Sequence, residues 1–215
     1  MKSLLYIKRL LEAYMDFALL SQHLFSGYVL VIPALIVYFI ILSKRGKKQS
    51  LLHIIASFVF CFYLFGILTM TGLWWFKSFS PRIVLIPFVD MIRGPVDTIL
   101  NVILFIPLGF FLPILYKRYD KIGKVALTGF FISLSVEIFQ MFDCGSSDIN
   151  DLITNTAGVC LGFLIYKLIS KVVPERSTTV FHAESIQEYI EIAFYWIYSL
   201  VVMITIQPII FHALF

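Results

Sequence analysis

The sequence predicts an all-α bundle of about six membrane-spanning helices, preceded by an N-terminal interfacial helix. Three observations carry this reading. The chain of 215 residues is 60% hydrophobic and only 14% charged, with a mean hydropathy of +0.93, whereas a soluble domain is about a quarter charged. Folded in water, it would expose far more apolar surface than a monomer tolerates. Its apolar runs approach the ~20 residues needed to cross a hydrocarbon core about 30 Å thick. Finally, basic residues collect in every second loop, as orientation in a bilayer requires.

The elements follow in chain order. Residues 1–25 mix Lys8, Arg9, Glu12 and Asp16 with leucines and aromatics, the pattern of an amphipathic helix lying in the interface. They lack the apolar core and small-residue cleavage site of a signal peptide. Residues 26–215 form one transmembrane domain, with spans near Gly27–Leu42, Ile54–Met70, Leu100–Tyr116, Val125–Phe142, Leu152–Ile169 and Ile192–Leu214. Lys44, Arg45, Lys47 and Lys48 follow the first span. Lys117, Arg118, Lys121 and Lys124 follow the third, and Lys167, Lys171 and Arg176 the fifth. These loops are expected in the cytoplasm. The N-terminal segment, the Trp74–Asp97 loop, the Asp143–Asp151 loop and the C-terminus are then external. Trp74 and Trp75 fall where an outer aromatic belt would place them.

The net charge of +4 is this topology signal and gives no reason to expect nucleic acid. Cys61 and Cys160 fall inside spans, Cys144 stands in a loop, and no metal-binding cysteine or histidine spacing occurs. The four histidines, His23, His53, His182 and His212, read as interfacial.

One cluster breaks the apolar pattern. On the fourth span Ser133, Glu137 and Gln140 share a helical face, and on the fifth so do Asp148, Asp151, Asn155, Gly158 and Gly162. Asn101 lies a turn inside the third span, ahead of Pro107, Gly109 and Pro113. Gly158 and Gly162 form a GxxxG pair suited to close helix packing, and the prolines kink the third span. Asp148 is placed to cap the fifth helix. Glu137 closes a helix and meets the unfavourable end of its dipole, so it needs a cation, an amide donor or a proton. Any one of the amides reads as interhelical glue. Three amides with three carboxylates at one depth read as a site, because intramembrane charge is costly. Arg82 adjoins Ile83–Phe88, an apolar run too short to span and read as re-entrant or interfacial. Arg93, beside Asp90 and Asp97, reads as a structural or lipid-facing charge.

At these residues the chain resembles the VanZ-like family. The matching stretches are Ile86-Pro87-Phe88, Asn101 through Gly109, Ser133 through Gln140, and Gly145 through Gly158, within a core of residues 81–171. Two departures stand out: Val84 where the family commonly has asparagine, and Cys144-Gly145-Ser146-Ser147 where a basic residue is common. The wording from Gly145 to Thr156 looks like the glycopeptide-resistance branch. The resemblance implies reduced susceptibility to teicoplanin-type glycopeptides without rebuilding the peptidoglycan peptide end.

The expected binding residues are Glu137, Gln140, Asp148, Asp151, Asn155, Asn101 and Arg82, on the extracytoplasmic side. The expected partners are membrane lipid and either the drug or a lipid-linked wall precursor, with no cofactor. Phosphate or sugar would meet Arg82 and the amides, and hydroxyls or an amine would meet the aspartates. One alternative is an intramembrane enzyme on a lipid-linked phosphate or sugar, with Glu137, Asp148 and Asp151 holding Mg²⁺ or moving protons. No nucleophile with an adjacent base supports it. The other alternative, a lipid or small-molecule transporter, lacks any visible inverted repeat.

Overall fold

The computed structural model describes residues 2–73, 78–88, 94–142, 146–173, 181–182 and 188–209, with side chains from residue 17 onward. The helices are α1 (Lys2–Lys44), α2 (Leu51–Met70), α3 (Pro95–Leu115), α4 (Ile122–Gln140), α5 (Ile149–Ser170) and α6 (Glu188–Val201). A π turn, Val202–Ile206, extends α6. Two short strands, β1 (Ile83–Val84) and β2 (Ser147–Asp148), pair in parallel. Among the described residues, six helices are long and apolar enough to cross a membrane. With the large apolar side chains they leave exposed, this is a multi-pass membrane protein. Trp74, Trp75, Asp90, Arg93, Cys144, Arg176 and His212 lie outside the described residues.

Helix starts fall about a turn before the apolar runs, because the caps sit upstream of them. Ser50 caps α2 by accepting from the His53 N–H at 3.0 Å. Pro95 opens α3, where its missing N–H has no consequence. Asp148 caps α5, accepting from the Asn150 N–H at 2.8 Å. At the other end of α2, Gly72 turns left-handed (φ 78°) and the Leu73 N–H reaches back to Leu68 O at 3.1 Å. Backbone helix runs unbroken from Lys2 to Lys44, and a candidate span falls within it.

The core forms around α2, the most enclosed span, whose Phe60, Leu64, Phe65 and Leu68 pack with Phe105, Leu108 and Leu112 of α3. Pro107 removes one amide from the ladder of α3. The Tyr63 hydroxyl inserts beside it, donating to Leu104 O at 2.7 Å and accepting from the Leu108 N–H at 3.2 Å. A neighbouring helix thus re-satisfies the backbone that proline disturbs.

The tightest seam joins α3 and α5. A Cβ on Gly109 would lie 1.8 Å from Val159 O, one on Gly158 2.2 Å from Val102 O, and one on Gly162 1.9 Å from Ile106 O. Backbone touches backbone along three turns, as a small-residue seam permits.

Loop contacts sort the two ends of the bundle. At one, Lys167 pairs with Asp120, and the Arg118 N–H meets Glu188 at 3.3 Å. The basic loops after the third and fifth spans therefore share an end. At the other, the Ser80 N–H donates to Met141 O at 2.9 Å and the acidic cluster assembles.

Candidate functional site

The glycine seam brings the second turn of α3 against the first turn of α5, and there Asn101 Nδ2 donates to Asp151 Oδ1 at 2.7 Å. Facing them is a cavity of about 310 Å³ lined by Gly94, Asp97, Thr98, Asn101, Asp148, Asn150 and Asp151. Glu137, 4% exposed, lies behind this lining at the end of α4. Its Oε2 accepts the Asp148 N–H at 2.8 Å, and the Ser147 hydroxyl also bonds its carboxylate. The Asp148 and Asp151 carboxylates are close enough to Glu137 to repel its charge.

Glu137 therefore does have a capping role. It fills no cap on its own helix but holds the amide that opens the next one, where the positive end of the α5 dipole favours an anion. The amide donor expected for it proves to be backbone.

The loop before α3 closes over this helix start. β1 pairs with β2 in the register Ile83↔Ser147 and Val84↔Asp148, and Arg82 contributes its carbonyl to the Ser147 N–H at 2.8 Å. So the apolar run begins as a strand against the site, while Leu85, Ile86 and Phe88 stay exposed. Asn150 secures the next turn. Its Oδ1 accepts from the Phe88 N–H at 2.7 Å, and its Nδ2 donates to Ile86 O at 3.2 Å and to Asp148 Oδ1 at 2.8 Å. Phe88 has φ 70°, a conformation a bulky residue holds only when its surroundings impose it.

Sequence reasoning passed over Asn150. It lies two residues past Asp148, off the helical face that groups Asp148, Asp151 and Asn155, and its role exists only where a distant loop meets it. Asp97 and Thr98 were passed over as site residues too, although a carboxylate one turn before Asn101 was a readable signal.

Two expected members stand apart. Asn155, 3% exposed, lies a turn deeper and donates to Ser133 Oγ at 2.9 Å. Gln140 leaves the cavity altogether, donating to Thr71 O at 3.1 Å beyond the end of α2. The Oδ1 of Asn155 and the Oε1 of Gln140 are buried without a hydrogen-bond partner. Asn101, Asn155 and Gln140 thus each use a side-chain N–H within the protein, and Asn150 uses both. No three described His, Cys, Asp or Glu side chains are grouped as metal ligands would be.

A profile of the VanZ/LLP1 family matches residues 25–170, well over half of the chain. The protein belongs to that family. A stretch of 72 residues is 43% identical to Protein VanZ of Enterococcus faecium, covering 33% of this chain and 44% of that protein. The match thus spans less than half of that relative's length. No solved structure matches the chain significantly. Within the VanZ/LLP1 match, the family-like stretches become one object: Asn150 holds Ile86-Pro87-Phe88, Asn101 meets Asp151, and Glu137 holds the Asp148 amide.

Beyond the matched region α6 completes a second polar cluster at the opposite end of the bundle, where His53 finds partners that the sequence did not announce. His53 is fully buried; its Nδ1 lies 2.7 Å from Phe181 O and its Nε2 3.1 Å from Glu191 Oε1. A carbonyl only accepts, so Nδ1 carries a proton. Tyr195 donates to the same Glu191 oxygen. His23 is buried against Gln207, where the π turn ends. His182 meets Pro113 O at 3.3 Å, and burial pushes its pKa down.

Apolar runs do not announce such pairs, because only tertiary packing sets His53 opposite Glu191. Glu191→Ala would leave buried donors unmatched and should cost about 3–5 kcal/mol. The measure is the thermal midpoint of purified protein in detergent. Glu191→Gln, which keeps an acceptor for Tyr195, should lose less. An alanine variant as stable as the parent would show that the pair is dispensable.

Proposed function

We propose that this VanZ/LLP1 family protein lowers susceptibility to teicoplanin-type glycopeptides from the extracytoplasmic face of the membrane. It does so by engaging the drug, or the lipid-linked wall precursor it seeks, at the cavity between α3 and α5. The observation that carries this reading is the excess of acceptors. Asp97, Asp148 and Asp151 line the cavity, while Asn101 already uses one side-chain N–H and Asn150 both of its own within the protein. A ligand that brings donors fits this acidic lining: sugar hydroxyls or an amine, each a charge-assisted bond on a carboxylate. A bare phosphate would meet repulsion there. Glycopeptides and wall precursors both carry sugars at the membrane surface.

Expressing the protein in a susceptible host should raise the teicoplanin concentration needed to stop growth; an unchanged concentration with protein in the membrane would count against the reading. The site must also face outward. In a background lacking the native three cysteines, an impermeant thiol reagent added outside should label a cysteine placed at position 146 and spare one at position 121. The reverse pattern would put the site in the cytoplasm and end this proposal.

A further inference from the structure

Helices α4 and α6 are bridged by a side chain: the Trp196 indole N–H donates to Ser135 Oγ at 2.9 Å. Beside this bridge lies a groove of about 240 Å³, walled by Phe131 and Ile132 of α4 and by Ile192, Ala193 and Trp196 of α6. Tyr119, Thr128 and Tyr189 line its end toward the basic loops. Lys121, Lys124, Thr128, Ile132 and Ser135 recur at helical spacing, so two exposed lysines continue the α4 wall past that end. Exposed Lys117 and Arg118 adjoin them. Of the acids at this end, Glu188 and Glu191 are buried and engaged, by the Arg118 N–H and by His53, and exposed Asp120 pairs with Lys167.

We propose that this groove seats one acyl chain of an anionic phospholipid, whose phosphate rests on Lys121 and Lys124. An apolar slot running between two spans, lined by tyrosines at the end nearest two exposed lysines, repeats the order of a lipid from chain to headgroup. Lysines at helix ends reach the interface in this way, and their charge selects an anionic headgroup. A partner helix is too thick for the slot: at a diameter of about 10 Å, only about two of its residues would fit the volume. The basic loop places this lipid in the cytoplasmic leaflet, away from the acidic cavity and independent of its ligand.

The test is native mass spectrometry of the full chain, purified in detergent and offered equal dioleoyl phosphatidylglycerol and dioleoyl phosphatidylcholine. Phosphatidylglycerol should survive activation that strips phosphatidylcholine. The double variant Lys121→Gln/Lys124→Gln should lose that preference, by roughly tenfold or more for two interfacial lysines. Ala193→Trp should fill the groove and reduce retention of both lipids; position 193 is exposed, so the change leaves the core intact. Matching elution of parent and variants on a sizing column checks the fold. Equal retention of the two lipids by the parent overturns the assignment, as does parent-like behaviour of either variant.

Discussion

Glu137→Gln and Asp151→Asn are each expected to abolish teicoplanin protection while leaving the protein in the membrane. Glutamine still offers a carbonyl to the Asp148 N–H, which Glu137 now holds at 2.8 Å, and the Ser147 hydroxyl can turn to accept from the new amide. Asparagine at 151 likewise keeps an acceptor for Asn101 Nδ2, now at 2.7 Å. Packing and most hydrogen bonds therefore persist, and what disappears is negative charge. A neutral bond to a ligand donor has roughly half the strength of a charge-assisted one. The measurement is the inhibitory concentration of teicoplanin in a susceptible host, with membrane abundance checked by blot. Gln140→Leu, remote from the cavity, should retain protection. Full protection in both amide variants would reduce these carboxylates to structural caps.

Substitution along the α3–α5 seam should have the larger effect on the fold. Gly158→Ala and Gly162→Ala each put a methyl about 2 Å from a carbonyl oxygen of α3. Backbone cannot step aside as a side chain can, so the helices must separate. Overpacking costs about 1–3 kcal/mol even where side chains can adjust, and the pair of substitutions should remove folded protein. Separation would also part Asn101 from Asp151, so protection should fall before all protein is lost. Gly66→Ala is the control: nothing lies within 4 Å of its added methyl, and alanine favours helix over glycine. Sizing chromatography with a thermal scan reads both. A monodisperse, stable Gly158→Ala/Gly162→Ala protein would mean that the seam is not as close as described.

The sequence by itself determined the helical membrane fold, the positions of its spans and the family, because apolar run length and local caps are properties of neighbouring residues. The GxxxG pair and the capping aspartate were legible for the same reason: each acts within a few residues along one helix. The pairing of the basic loops at one end also followed from order along the chain. Tertiary structure alone decided which polar groups meet. It turned Gln140 to Thr71, gave Glu137 the amide of the next helix, and set Asn150 under the turn at Phe88. It also joined His53 to Glu191 across most of the chain. These contacts depend on how helices approach and how loops fold back over helix ends. A helical face can be read from spacing, but the group that a buried polar atom finds across a seam is fixed by packing in three dimensions.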